Sequence, residues 1–440
     1  RLAIPSASEH DYHDQISTNK EQQPVPLGSP ERTWTWPSLL GFWVAEAFSI
    51  SMYQGLNPGL SILAVLIGHF LLCIPAMLDG YIGAMFGINF PVFTRASFGM
   101  RGSYFAVFVR GVVACIWFGT QSFQGGQCLQ VMIEAIWPSF ERFPNRLPES
   151  AHVTSAQLLC FFLFILVQAP LLWLKVSSLR YMFMAKTIIM PIFGLTLFIW
   201  ALVAAKGFGP TFSQPTRIKD GTPAAVVFLQ CVTTAIGPKA TLALNMPDFT
   251  RYAKYPKQVF WTQAVGLMVL VTMCAYLCCI LSIATTPWNI QYSAKSFSSF
   301  LGGYALFLGA LVGIIITDFW ICRRRSLDVR ALYKKHDVHH FTAGFNIRAF
   351  IAFFCGIAPN MPGLAAACGA SGVPNGARYL YSLSWLVSTL VAGLVYWVSF
   401  KIKPFEISPS QEMYMDGVEG YDPSISEIPQ HTKQDKEVEA

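Results

Sequence analysis

The sequence predicts an all-α integral membrane protein, on two observations. First, 53% of the 440 residues are hydrophobic and only 12% are charged, with a mean hydropathy of +0.45. Soluble domains contain about twice that share of charged residues. Second, the apolar residues form about ten runs near the 20-residue length that crosses roughly 30 Å of hydrocarbon. Together they exclude a soluble enzyme, a secreted disulfide-rich protein and a nucleic-acid-binding protein.

The apolar spans can be placed in order along the chain. They cover residues 38–54, 59–86, 104–136, 156–174, 182–205, 223–246, 260–284, 298–321, 347–369 and 377–400. An even number of spans puts both termini on one side of the bilayer. The loops and helix ends on that side carry sixteen Lys and Arg residues, against seven on the other. The positive-inside rule therefore predicts that both termini are cytoplasmic.

Charge and hydropathy divide the chain into three parts: an N-terminal cytoplasmic segment (1–37), a transmembrane domain (38–403) and an acidic cytoplasmic tail (404–440). Residues 405–440 hold nine Asp and Glu but only two Lys, which predicts a disordered, solvated tail. Its lysines, Lys433 and Lys436, are candidate ubiquitin acceptors. A ubiquitin ligase and the endocytic machinery are therefore candidate partners of the tail.

The cysteines and histidines do not predict a metal site, a bound cofactor or a catalytic centre. Most of the eleven cysteines lie inside apolar runs, and the adjacent pair Cys278 and Cys279 has no zinc-ligand spacing around it. They are interpreted as small core residues. A membrane-embedded enzyme would have one candidate site, the histidines His336, His339 and His340, but no second group of metal ligands accompanies them and a solvated polar turn is the simpler interpretation.

Among the ionisable residues within apolar spans or at their ends, four matter here: Glu46, Asp79, Lys239 and Asp248. A charge inside a bilayer costs about 3 kcal/mol on insertion scales, so each is expected to have a partner or a function. A paired charge at the membrane edge is the simpler interpretation for Asp248, with Arg251, and for Asp79. Glu46 and Lys239 lie deeper, and both interpretations stay open for them.

Two helix-breaking segments occupy matching places in the two halves of the chain. The first span runs into residues 54–59, which read Gln-Gly-Leu-Asn-Pro-Gly, and the sixth contains Gly237-Pro238. Transporters built from inverted repeats use discontinuous helices at such places to expose backbone groups to substrate and ion. The pattern favours a transporter, although a simple proline kink is the alternative.

The third span carries side chains suited to a planar heterocycle. Trp117 and Gln121 are four residues apart, so they lie on one helical face. Trp offers a large π surface, and Gln a paired donor and acceptor that could bind the edge of a lactam. The alternative is that Trp117 packs in the core and Gln121 makes an interhelical hydrogen bond.

Several long motifs give the chain a specific resemblance. They are Arg95-Ala-Ser-Phe-Gly, Ile116-Trp-Phe-Gly-Thr-Gln, Asn245-Met-Pro-Asp-Phe-Thr-Arg-Tyr, Thr317-Asp-Phe-Trp, Gly344-Phe-Asn-Ile-Arg-Ala and Pro359-Asn-Met-Pro-Gly. In this order they resemble the nucleobase cation symporter-1 family, in its fungal Fur-like branch of uracil, allantoin and uric acid permeases. The resemblance covers residues 19–403.

The resemblance implies a LeuT-type inverted-repeat fold. It also implies a plasma-membrane symporter, not an enzyme, that imports a nucleobase-like substrate with a proton or possibly sodium and holds no other cofactor. Trp117 and Gln121 match the family's stacking and hydrogen-bonding pair, and Lys239 falls in its broken sixth helix. Tyr304 matches a position near the substrate and the outer gate. Glu46 falls in the first-helix segment that the family links with proton coupling.

The chain departs from the family pattern at two places. Compared with the twelve-helix pattern that the resemblance implies, about eight residues are missing after Gln54, and the eighth helix with most of the ninth is missing between Thr286 and Pro287. We therefore expect an incomplete fold of about ten helices, which threatens folding and favours retention in the endoplasmic reticulum. The alternatives are an inactive truncated isoform and a thiamine or nucleoside permease of the same family.

Overall fold

The computed structural model describes residues 22–47, 56–204, 218, 222–274 and 291–405, without residues 152, 175, 330 and 334–337. Side chains are not described for residues 291–301. The two predicted gaps, after Gln54 and after Thr286, lie outside the described residues, as does the predicted disordered tail from residue 406 onwards.

The described chain is helical, with two isolated β-bridges. The α-helices are α1 (Trp36–Ala45), α2 (Pro58–Phe86), α3 (Phe90–Phe98), α4 (Ser103–Ile136), α5 (Ser155–Gln168), α6 (Leu179–Ala204), α7 (Ala224–Leu244), α8 (Met246–Thr250), α9 (Lys257–Val265), α10 (Gln291–Ile316), α11 (Ile347–Ile357), α12 (Met361–Ala367), α13 (Asn375–Tyr381) and α14 (Ser384–Ile402). Wider π-helical turns continue α9 at Gly266–Val271 and α10 at Thr317–Cys322.

Nine helices among the described residues are long and apolar enough to cross a membrane. They are Gly59–Phe86, Ser103–Ile136, Ser155–Trp173, Leu179–Trp200, Ala224–Leu244, Lys257–Cys274, Gly302–Cys322, Ile347–Ala367 and Ser384–Ile402. They coincide with the second to tenth predicted spans, which confirms an all-α membrane protein. The first predicted span begins as α1 and continues into residues that the structure does not describe.

Local sequence signals explain where several helices begin. Asn57 caps α2, because its side-chain oxygen accepts from the Leu60 amide at 2.8 Å. Asn89 caps α3 in the same way, accepting from the Val92 amide at 3.2 Å. Pro at the first or second position follows both caps and presets the helical φ angle. The Asn-Pro pair that was predicted to break the chain thus starts a helix.

The predicted break in the sixth span is wrong as a change of secondary structure. α7 runs from Ala224 to Leu244 without interruption, with Pro238 inside it. Proline removes one backbone donor, but the hydrogen bonds on either side of it persist, and neighbouring helices can satisfy the groups that it leaves. The site at Gly237-Pro238 is therefore a proline within a helix and not a gap between two half-helices.

Small residues bring the long helices close together. α10 packs along α14 and α7, and α2 packs along α7. A side chain at Gly309 or Gly313 of α10 would collide with the backbone of α14 at Trp385 and Thr389. A side chain at Gly68 of α2 would collide with the backbone of α7. Such close contacts are how helices associate in lipid, where no hydrophobic force drives them together.

The N-terminal segment is tied to the bundle through Arg32. Its guanidinium is buried and donates to the backbone oxygens of Val25 at 2.8 Å, Ala84 at 2.5 Å and Ala253 at 3.2 Å. Burial lowers the pKa of Arg32 to about 10. Trp34, fully buried, extends this contact by accepting from the Lys254 amide at 2.8 Å. The segment before α1 is therefore part of the folded body.

A buried ion pair joins four elements at the end of the bundle where the described chain begins and ends. The carboxylate of Asp318, in the π-helical turn after α10, accepts from Arg323 at 2.9 Å, from Ser97 of α3 at 2.9 Å and from Tyr396 of α14 at 2.8 Å. Asn346, just before α11, donates to the Ser97 carbonyl at 2.6 Å. Asp318 and Arg323 are almost inaccessible to solvent, and each is fully engaged.

We expect Asp318→Asn to destabilise the protein by roughly 3–5 kcal/mol, because it leaves the buried Arg323 without its counter-charge. The measurement is the thermal melting of purified protein in mild detergent. The exposed Glu141→Gln is the matched control and should melt like the parent. The double variant Asp318→Asn/Arg323→Met should regain part of the loss; if it melted below the single variant, the ion pair would not be the cause.

Candidate functional site

Three helices meet around an aromatic pair near the middle of the bundle. The rings of Trp117 of α4 and Tyr304 of α10 are 6.0 Å apart and meet edge to face at 78°. The Tyr304 hydroxyl donates to the Gly237 carbonyl of α7 at 2.8 Å. Tyr304 therefore connects α4 with the proline-containing part of α7.

Lys239 lies on α7, two residues after Gly237. It is buried, with 2% of its surface exposed. His69 of α2 is fully buried and interacts electrostatically with Lys239. The Nδ1 atom of His69 is 3.0 Å from the Thr272 hydroxyl. An ammonium group at such a depth is costly unless a substrate or a polar partner uses it.

His69 is absent from the sequence prediction, which considered only Asp, Glu and Lys as costly residues in the spans. The available signal was a titratable side chain in the middle of the apolar run Leu60–Phe86. Only the structure shows that α2 places it beside α7, since the two helices are far apart in the sequence.

The structure separates Gln121 from the buried part of the site. Trp117 is half-buried, whereas Gln121, one turn further along α4, is exposed. The two side chains share a face of the helix, as the spacing predicts, but only Trp117 contacts Tyr304. Of the four predicted residues, Trp117 and Tyr304 are thus in contact, Lys239 is buried two residues after Gly237, and Gln121 is exposed.

Glu46 has a partner that the sequence prediction did not name. Its carboxylate lies 3.3 Å from the Lys186 ammonium of α6, and each side chain is a little more than a third exposed. The pair connects the end of α1 to α6. Because solvent screens a pair of this kind, its contribution to stability is small.

Asp248 and Asp79, the two other ionisable residues, differ in their hydrogen bonding. Asp248 of α8 accepts from the Phe90 amide at 2.7 Å and from the Asn245 side chain at 2.8 Å. Burial keeps its pKa above the ordinary value for Asp, despite these hydrogen bonds. Asp79 of α2 is 1% exposed, and neither of its carboxylate oxygens has a hydrogen-bond partner among the described residues. The predicted pairing of Asp79 is therefore not found in this part of the chain.

The candidate enzyme site does not form a ligand cluster in the described chain. His339 is buried and His340 is half-buried, while His336 lies outside the described residues. The described residues contain no group of three or more His, Cys, Asp and Glu side chains placed to hold a metal ion.

A bundle of membrane-spanning helices with a polar, partly aromatic site between them is the architecture of a solute transporter. The chain belongs to the family of permeases for cytosine and purines, uracil, thiamine and allantoin, whose model matches residues 24–277 and 271–388. The resemblance inferred from the motifs is thereby confirmed.

Individual relatives agree with this assignment. The chain is 27% identical to an uncharacterized permease of Schizosaccharomyces pombe, over 92% of this chain and 83% of that protein. It is 25% identical to the uridine permease of Saccharomyces cerevisiae, over 89% of this chain and 76% of that protein. Its fold is similar to that of Mhp1, a nucleobase-cation-symport-1 family transporter, in a closed conformation with bromovinylhydantoin bound. The TM-score is 0.66 at 17% identity, over 90% of this chain and 98% of Mhp1.

This similarity confirms the LeuT-type fold. Two features of these alignments concern the predicted gaps. The family model matches the chain in two segments, which overlap at residues 271–277. This overlap is close to the predicted gap after Thr286. The alignment with the S. pombe permease runs over 498 residues, more than the 440 of this chain, so the relative has stretches without a counterpart here. The position of the missing helices stays a prediction.

Tyr304→Phe should destabilise the protein by about 1 kcal/mol, because it removes the hydrogen bond to Gly237 and keeps the ring. Thermal melting in detergent measures this, with the partly exposed Tyr379→Phe as the control. Equal melting temperatures for both variants would show that the hydroxyl does not hold α10 to α7.

Proposed function

We propose that the protein is a secondary active transporter that imports a nucleobase or related heterocycle, of the uracil, allantoin or uric acid class, by symport with a proton. Sodium is the alternative coupling ion. The observation that supports this most strongly is the Trp117–Tyr304 pair beside the buried Lys239. Family membership supports a cargo of this kind, and the geometry suggests how such a cargo would bind.

A planar heterocycle has two features that these residues can use. Its face can stack on Trp117, whose ring is half-buried and already held by Tyr304. Its carbonyl oxygens can accept from the Lys239 ammonium, which would offset the cost of burying that charge. Gln121 lies one helical turn from Trp117 and offers a donor and an acceptor to the edge of the ring.

The ion pair between Glu46 and Lys186 supports proton coupling. Protonation of Glu46 would remove its charge and weaken the contact between α1 and α6. A proton bound there would thus change how α1 packs against α6, and alternating access requires one part of the bundle to move against another. Glu46 is accordingly the proposed coupling residue.

The proposed location is the plasma membrane, with both termini in the cytoplasm. The excess of Lys and Arg at the terminal end of the bundle supports this orientation. The acidic tail, with Lys433 and Lys436, is proposed to recruit a ubiquitin ligase and so to control the lifetime of the protein at the cell surface.

Trp117→Ala should lower the uptake of the transported heterocycle about thirtyfold, since the loss of a stacking surface worth ~2 kcal/mol weakens binding by that factor. Gln121→Ala should also weaken uptake. The experiment measures uptake of labelled uracil, allantoin and uric acid, each separately, by cells that lack their own permeases. Trp137→Ala, at the exposed end of α4, is the matched control.

Unchanged uptake in Trp117→Ala would contradict the proposed site. The same cells should express a second chain, in which the residues missing after Gln54 and Thr286 are restored from a relative. Saturable uptake by the restored chain alone would assign the proposed transport to the complete fold and would make the present chain an inactive form.

Glu46→Gln should abolish the dependence of uptake on external pH, because the amide keeps the shape of the side chain but cannot take up a proton. Uptake by the parent should rise as external pH falls and should not change when choline replaces sodium. Glu141→Gln serves as the control and should keep the pH profile. A sodium-dependent, pH-independent parent would overturn proton coupling and leave the binding site unaffected.

A further inference from the structure

Four basic side chains gather where the described chain ends. They are Arg323, after the π-helical turn that continues α10, His339, Arg348 in the first turn of α11, and Lys401 in the last turn of α14. We refer to them as the basic cluster. Arg323, Arg348 and Lys401 are all near enough to the buried Cys322 to act on it electrostatically.

Phe405 covers this cluster. The Arg323 guanidinium lies 4.6 Å from the centre of the Phe405 ring, and the Arg348 guanidinium lies 5.8 Å from it. Phe400 and Phe341 pack against the same ring, with centroids 4.9 and 5.9 Å away. Phe405 is itself only half-buried, so it lies over the cluster without being enclosed.

The cluster holds more positive charge than the described chain neutralises. Asp318 is the acidic group within it, and its carboxylate is engaged by Arg323, Ser97 and Tyr396. The Nη1 atom of Arg348 is buried and has no hydrogen-bond partner among the described residues. Buried donors of this kind are normally satisfied, so an unsatisfied one suggests a missing acceptor.

His339 gives the same indication independently. It is 1% exposed, and neither ring nitrogen has a hydrogen-bond partner in the described chain. Burial, and after it the charge of Arg323, lower the pKa of His339 well below its ordinary value. An acceptor bound in the cluster could satisfy the unpaired groups of His339 and Arg348, while Arg323 keeps its contacts with Asp318.

The backbone around the cluster is strained. Four residues other than glycine have a positive φ angle in the described chain: Arg324 (50°), Arg325 (67°), Phe341 (45°) and Ala343 (52°). All four lie in the two loops that border the cluster. Such conformations cost energy for residues with a side chain and concentrate at ligand-binding sites.

The N-terminus of α11 also favours an anion. Its first turn contains no acidic residue and carries Arg348, and Asn346 at the cap position makes no capping hydrogen bond through its side chain. Free amide groups and the helix dipole attract negative charge to such an end, where a lone arginine would otherwise be unfavourable.

We propose that the basic cluster binds the phosphate group of an anionic phospholipid, and that Phe405 is a displaceable cover over this site. Lipid phosphate is favoured over a soluble anion because the cluster lies at the ends of three helices that span the membrane, at the level of the headgroups. Both termini of the described chain lie at this end, so the lipid would belong to the cytoplasmic leaflet in the proposed orientation.

The test compares full-length protein in nanodiscs of phosphatidylcholine alone with nanodiscs that also contain phosphatidylserine. Native mass spectrometry counts retained lipids, and thermal melting measures their effect. The parent should retain phosphatidylserine and melt at a higher temperature with it. Arg348→Gln/Lys401→Gln should bind it roughly 25-fold more weakly, at about fivefold for each charge. The control Arg142→Gln/Arg378→Gln removes two exposed arginines elsewhere and should bind like the parent.

Phe405→Ala should instead tighten phosphatidylserine binding, because it removes the cover. It removes no charge. Equal lipid binding by the parent and the Arg348→Gln/Lys401→Gln variant would overturn the proposal. Inorganic phosphate that bound as tightly as the lipid would replace the lipid by a soluble anion and overturn it as well. Lipid binding that appeared only after deletion of residues 406–440 would show that the acidic tail occupies the cluster instead.

Discussion

The terminal end of the bundle depends on the hydrogen bonds and the ion pair that the Asp318 carboxylate makes. In hydrocarbon no water can replace a lost hydrogen bond, so each buried charge has to be satisfied by the protein itself. Asp318 is satisfied by groups from α3, α14 and the segment after α10. These elements lie far apart in the sequence, and the carboxylate fixes their relative positions. The basic cluster and the cover formed by Phe405 are built directly on this arrangement.

The same constraint applies to the proposed substrate site. Lys239 is buried in the bundle with His69 of α2 near it, two residues after the Gly237 carbonyl that accepts from the Tyr304 hydroxyl. In the proposed site a heterocycle would add its carbonyl oxygens to the polar groups near this ammonium. Cargo binding and the packing of the bundle would then depend on the same few residues.

Much of the fold could be predicted from the sequence, because the length and hydropathy of membrane spans leave few alternatives. The second to tenth spans were placed correctly for this reason. Pro238 was interpreted wrongly as a break, since a proline alone does not show whether the surrounding helix continues. Trp117 and Gln121 illustrate the limit for the site. Their shared helical face follows from spacing, but exposure depends on which helices pack beside α4, and sequence periodicity does not contain that information.

The glycines of α10 have a mechanical consequence. Gly309 and Gly313 place the backbone of α10 directly against that of α14, with no side chain between them. Two helices in such contact cannot slide or tilt past each other without losing many contacts at once. If the protein alternates between outward-facing and inward-facing states, we expect these two helices to move together as one rigid body. The flexing then has to occur at their junctions with neighbouring helices, and the Tyr304 hydrogen bond to α7 is such a junction.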